Sequence, residues 1–268
     1  MNGELAQRMA LVGWGNEMLA GRVDTDLDDH DTLRFVRSVT FEGSRRRRWR
    51  SPKTATSVHE WIADLTARQT DHLELDALGQ LLSGHAGALD PQRSAGFANS
   101  TGTPILAVRS STAEVWRSTW SVGRDDRPAD DRIWDVVYEP LGEIDDPRLS
   151  HPSVETATGQ LAASLDAIHH FALTQDTGHW IGWFADAREL LTSPEPVVPY
   201  HPQLLPDHGL EHSRLTAALT KAWVFGGMGS WNDLGFGEPD VDAEYRAVTG
   251  DLYAAVMAAA DAVTNLQR

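Results

Sequence analysis

The sequence predicts an α+β fold: a mixed N-terminal part with a short antiparallel sheet, followed by an α-helical C-terminal half. Two observations carry this. Three segments rich in β-branched and aromatic residues, 104–109, 114–122 and 132–138, follow one another across short links. Beyond residue 150 the apolar residues recur every three or four positions, as on the buried face of helices. The chain divides on that basis into 1–150 and 151–268, two regions that can share one core.

Each element follows in order. Leu5, Met9, Val12 and Leu19 give Glu4–Ala20 an interrupted helical stripe, weakened by Gly13 and Gly15. Residues 33–41, LRFVRSVTF, alternate apolar and polar as a strand does, and RRRRWRSP from Arg45 to Pro52 reads as an exposed loop. Thr56 or Ser57 can cap a helix running through Arg68, and a short helix is predicted from Leu75 to Leu82. Gly84–Thr103, rich in small residues, reads as a long irregular connection. The three strand segments then form a meander, with the polar Arg124–Asp131 link as its hairpin loop.

The boundary to the helical half is placed at Leu141–Glu155. Leu161, Leu165, Ile168 and Phe171 form one stripe, and Trp180, Phe184, Ala187 and Leu191 a second. Leu215, Leu219 and Ala222 form a third, and a long last helix runs from Tyr245 to Val263. Asp240 or Asp242, just after Pro239, suits the positive end of that helix. Five prolines between Ser193 and Pro206 make that segment an extended link.

Composition removes several function classes. The formal charge is −16, with the excess acid beyond residue 60. That favours solubility and disfavours nucleic acid and anionic membranes as partners. With no cysteine there are no disulfides, thiolate metal sites or cysteine nucleophiles, which fits a reducing compartment. No run of about 18 apolar residues crosses a membrane, and Glu4 and Arg8 interrupt any signal-like run, so a cytoplasmic protein is expected. Arginine supplies 21 of the 23 basic residues, a bias associated with GC-rich bacterial genomes. Dinucleotide, Walker, GxSxG, HExxH and kinase patterns are all absent.

The most distinctive string is FGGMGSWND, Phe225–Asp233. As structure it is helix-to-helix punctuation: Gly226 or Gly227 ends a helix in the left-handed conformation, and Ser230 caps the next turn with Asp233 three residues on. As function, the glycines free backbone N–H groups, and Ser230, Trp231 and Asn232 are candidate ligand contacts. The string, preceded by a helix starting near HGLEH, resembles a Gly-Gly-Met-Gly-Ser-x-Asn-Asp motif of uncharacterised bacterial proteins. The likeness covers about Trp180 to Leu234. It implies a shared turn in a helical module, with no assigned activity and no role for a single residue.

Other residue patterns admit a site. HGLEH, His208–His212, has the H-x-x-E-H spacing of inverted zinc proteases, in which two histidines one helical turn apart share a metal. A pair of surface histidines is the commoner outcome of that spacing. His169 and His170 flank an apolar stripe and, with Asp233, are candidate catalytic residues. Arg47 and Trp49, within the basic run Arg45–Arg50, are candidate phosphate and base contacts. The strand tryptophans Trp116 and Trp120 share a face; with Trp134 they make a recognition surface if exposed. No cofactor is implied.

Two readings of function stand closest. One is an acidic, immunity-like module that binds a basic protein partner through its tryptophans. The other is a hydrolase-type enzyme using His, Asp and Glu residues of the C-terminal helices, with or without a metal. Binding of a nucleotide or nucleic acid by Arg45–Arg50 is the third.

Overall fold

The computed structural model describes residues 1, 3–23, 27, 29–43, 54–81, 90–100, 102–123, 131–226 and 228–266. Arg47, Trp49 and the rest of the basic run, the Arg124–Asp130 stretch of the hairpin link, and Gly227 lie outside them.

The fold is α+β. A five-stranded sheet is built from β1 (Val36–Phe41), β2 (His72–Leu75), β3 (Ile105–Arg109), β4 (Thr112–Val122) and β5 (Trp134–Asp145), in the order β1-β5-β4-β3-β2. The meander β3-β4-β5 is antiparallel as expected. Strand β1 adds to it in parallel, so the sheet is mixed where a purely antiparallel one was expected. Around it lie α1 (Gly3–Leu19), α2 (Val58–Ala67), the single turn α3 (Pro91–Ser94), α4 (Val154–Thr174), α5 (His179–Leu190), α6 (Leu210–Ala222) and α7 (Pro239–Thr264). Among the described residues no helix is long and apolar enough to cross a membrane.

Helix α1 is buried on nearly every side, between the sheet and the C-terminal helices. That explains the glycines that weakened its prediction. A Cβ on Gly13 would come within 2.6 Å of Leu205, and one on Gly15 within 2.8 Å of Leu73. The absence of side chains there permits close packing, which outweighs the helix-propensity cost of under about 1 kcal/mol per glycine. Burial also forces the polar groups of α1 to find partners. Arg8 donates to Thr103 Oγ1 at 2.5 Å and Ser118 Oγ at 2.7 Å, and lies 3.5 Å from Glu4. Tyr138 donates to Gln7 at 2.7 Å.

Of the predicted helix Leu75–Leu82, Leu75 instead ends strand β2 and residues 76–81 turn, while Leu82 lies outside the described residues. Leu73 and Leu75 alternate inward, and the buried Asp76 carboxylate accepts from Gln80 N at 2.8 Å and Leu81 N at 2.9 Å. These local bonds compete with helix formation. The outer edge of β2 is closed by two asparagines. Asn16 of α1 exchanges two bonds with Leu73, and Asn265 after α7 exchanges two with Leu75. Each side-chain amide stands in for the next strand. Strand β5 also runs through the expected boundary, to Asp145.

Ser57 caps α2 by accepting from Glu60 N at 3.1 Å, and Ser153 caps α4 by accepting from Thr156 N at 3.1 Å. The stripes of α4 and α5 are buried as the periodicity predicts. Buried apolar residues of the sheet, α1, α2 and the C-terminal helices form one continuous cluster.

Candidate functional site

Where the sheet meets the helical half, the chain leaves a cavity of about 400 Å³. The start of α1 supplies Gly3 and Glu4, the segment after α3 supplies Ala95–Ala98, and β4 and β5 supply Trp120 and Trp134. From the helical side come Trp180 and Trp183 of α5, then Trp223, Phe225 and Ser230 around the glycine-rich turn. Five of the ten tryptophans therefore face one space. Phe97, 65% exposed, stands at its mouth.

Three of the wall indoles donate to other protein atoms. Trp120 Nε1 donates to Ser118 Oγ at 3.2 Å, Trp183 Nε1 to the Lys221 carbonyl at 2.9 Å, and Trp223 Nε1 to the Phe225 carbonyl at 2.8 Å. Asn99 exchanges two bonds with the backbone of Trp120, and its own N–H donates to Glu4. Asn99 adopts φ +62°, a left-handed conformation that asparagine tolerates well. Glu4 is the only described lining residue with an ionisable side chain. Ser230 Oγ is buried without a hydrogen-bond partner. The lining thus presents aromatic surface, the Glu4 carboxylate already paired with Arg8 and the Asn99 N–H, one hydroxyl and the Met1 α-amino group, whose pKa burial lowers to about 6.

The Phe225–Asp233 string folds differently from its expected punctuation. Helix α6 ends at Ala222, before the glycines. Among the described residues of the string Gly229 is left-handed, at φ +84°, and a Cβ on Gly226 would sit 3.3 Å from the Ser230 Cβ. Ser230 starts a 3₁₀ turn without a side-chain cap, and Asp233 closes the turn by accepting from Gly229 N. Of the candidate ligand contacts here, only Ser230 lines the cavity. Trp231 is wholly buried among Phe171, Trp180, Phe184 and Tyr245, and donates to Thr249 Oγ1 at 2.8 Å. Asn232 donates to the Gln92 carbonyl at 2.8 Å, tying the α3 turn to the helical half.

The histidine candidates do not converge. His169 is half-buried and His170 exposed on α4, and neither lines the aromatic cavity; Asp233 is held within its turn. His208 lies outside α6, which begins at Leu210 after Gly209, so the pair does not share one helical face. The two rings stand 5.1 Å apart at right angles, and His212 Nε2 is 2.9 Å from the Val263 carbonyl. Burial lowers the pKa of His212, so a neutral ring donates that bond. Among the described residues no group of three or more His, Asp or Glu is arranged to hold a metal.

A second cluster was not singled out by the sequence. On the wall of a broad groove of about 1290 Å³, His151 Nδ1 lies 2.7 Å from the fully buried Asp261, and Nε2 lies 3.9 Å from Glu74. The longer contact is an ion pair rather than a hydrogen bond. Burial opposes the charge on His151, but Asp261 and Glu74 outweigh it and raise its pKa to about 9. Burial likewise pushes Glu74 up, but His151 and His72 draw it down to about 2. Three separate segments meet in this charged clasp, and only the adjoining Asp261 lies on a strongly periodic helix.

No protein-family model, curated protein or solved structure matches the chain. The description that fold and site support is an α+β protein with a tryptophan-walled cavity between its sheet and its helices.

Proposed function

We propose that the protein acts by binding, as an acidic, immunity-like module of the cytoplasm whose target is a basic protein. The observation that carries this reading is the cavity: five tryptophans face one space, in a chain of charge −16. Exposed Phe35, Phe97, Val122 and Ile133 extend the apolar surface near Trp134. Phe35 O accepts from both Ile133 N and Trp134 N, and Val122 pairs with Trp134. Aromatic residues in a partly desolvated pocket, rimmed by exposed apolar groups, are what protein interfaces use as anchors. On this reading Gly226 and Ser230, the two ends of the Gly-Gly-Met-Gly-Ser string that resembles uncharacterised bacterial proteins, line the binding site.

The test is retention of basic polypeptides by the immobilised protein at low and high salt, with Trp134→Leu in parallel. Binding that is lost at high salt and reduced by Trp134→Leu supports the reading. Retention indifferent to both salt and the substitution removes it.

The hydrolase reading keeps one observation, the His151–Asp261 pair beside a groove. A histidine between two carboxylates, with its pKa near 9, stays protonated at neutral pH and makes a poor general base. The clasp is better suited to holding β2, α7 and the 147–153 segment together.

A further inference from the structure

We infer that the interior of the aromatic cavity holds an uncharged, flat aromatic small molecule that carries a hydrogen-bond acceptor, a carbonyl oxygen or a ring nitrogen. The inference goes beyond the protein-binding reading and does not rest on it: that reading uses the exposed rim, this one the walls behind the rim.

Size and walls set the class. A space of about 400 Å³ falls within the roughly 300–1,000 Å³ typical of small-molecule sites. Three pairs of wall rings meet edge to face. Trp120 and Trp134 stand 6.0 Å apart between ring centres, Trp180 and Trp183 6.1 Å, and Trp223 and Phe225 5.5 Å. A flat aromatic ring entering among them continues that packing, whereas a saturated ring forgoes the attraction between ring edges and faces.

The buried polar groups set the acceptor. Trp180 is 9% exposed, yet among the described residues nothing accepts from its indole N–H, unlike those of Trp120, Trp183 and Trp223. The Trp134 indole N–H lacks an acceptor in the same way, and Ser230 Oγ is buried without a partner. A buried indole N–H ordinarily finds an acceptor. Here that acceptor is left to what enters the cavity.

The ionisable groups of the lining exclude a charge of either sign. A cation would find no free carboxylate, because Glu4 already lies 3.5 Å from Arg8 and accepts from the Asn99 N–H. An anion would find no cationic side chain among the described lining residues, and the Met1 amine, lowered by burial to about 6, is uncharged at neutral pH. Either ion would give up its hydration for no counter-charge.

The experiment measures probe binding to the whole chain by calorimetry. Quinoline is compared with naphthalene, which has its shape and no acceptor, and acetophenone with acetylcyclohexane, which keeps the acceptor on a saturated ring. N-methylquinolinium and benzoate supply the two charges. The expected result is saturable binding of quinoline about tenfold tighter than naphthalene and than either ion, with acetophenone ahead of acetylcyclohexane. Trp180→Phe keeps an aromatic wall and removes one donor, so it should narrow the preference of quinoline over naphthalene. Ser230→Ala, a smaller change, carries that comparison if Trp180→Phe does not fold. No saturable binding of either neutral aromatic probe overturns the inference. Naphthalene binding as tightly as quinoline overturns the acceptor, and an ion binding as tightly overturns the neutral class. Quinoline bound by a protein that retains no basic polypeptide leaves this site standing and removes the protein-binding reading; retention without any bound probe does the reverse.

Discussion

Asn99 hydrogen-bonds to Trp120 twice, accepting from its backbone N–H at 2.7 Å and donating to its carbonyl at 2.9 Å. Strand β3 pairs with residues 112–116 of β4, so among the described residues the edge of β4 at Trp120 has no neighbouring strand on that side. The asparagine side chain takes that place, and the Asn99 N–H holds Glu4 as well. One residue thereby fixes an aromatic wall and the acidic floor of the cavity.

Replacing Asn99 with glycine keeps the left-handed backbone available and removes only the side-chain bonds. Leaving the buried Trp120 backbone groups without partners is expected to cost about 1–3 kcal/mol in urea denaturation. The cavity should lose ligand affinity in the same variant. Unchanged stability would show that water satisfies the strand edge equally well.

Gly15→Ala should destabilise the protein even though alanine is the better helix former. The gain in propensity is about 1 kcal/mol, and a Cβ 2.8 Å from Leu73 requires the core to shift, at about 1–3 kcal/mol. Gly13→Ala, against Leu205 at 2.6 Å, should behave alike. A rise in melting temperature for either would mean that those leucines move aside freely.

The His151 clasp gives stability a defined pH dependence. Its folded pKa of about 9 lies above the ordinary value of 6.5, so its contribution is complete below about 6.5 and is lost as pH rises through 9. Glu74 acts in the opposite sense: its contribution is present above 4.5 and is lost as pH falls through about 2. His151→Gln leaves the buried Asp261 without its charged partner and should cost about 3 kcal/mol at pH 7. The same variant should flatten the decline of melting temperature between pH 7 and 9. An unchanged alkaline profile would remove His151 as its cause.

His169→Ala and His170→Ala should leave binding untouched and change stability by less than about 0.5 kcal/mol, since neither lines the cavity and His170 is exposed. A loss of any measured activity in these variants would restore the enzyme reading at α4.

Much of this fold was legible where the pattern was local. The stripes of α4 and α5, the Ser57 cap and the β3-β4-β5 segments follow from side-chain periodicity and capping chemistry. Strand β2 is not announced by its sequence, HLEL before DALGQLL, which is equally apolar in both periods, and the helix expected over Leu75–Leu82 overlaps it at Leu75. What decides is distant: Asn16 and Asn265, far away along the chain, close its edge. The parallel partnership of β1 with β5 is also a long-range choice that alternation cannot announce. At the site, the sequence pointed to Trp120, Trp134 and Ser230 but not to their meeting with Trp180, Trp183 and Trp223. Nor could spacing reveal that Trp231 turns into the core while Ser230, one residue before it, lines the cavity.

The central claim is that the tryptophan cavity is where the protein meets its target. The most direct test is the dissociation constant of wild-type and Trp134→Leu proteins for one basic polypeptide retained at low salt. The account predicts weakening of about tenfold or more, since a central aromatic anchor contributes upwards of 1.4 kcal/mol. Equal affinities, with both proteins folded, would contradict it.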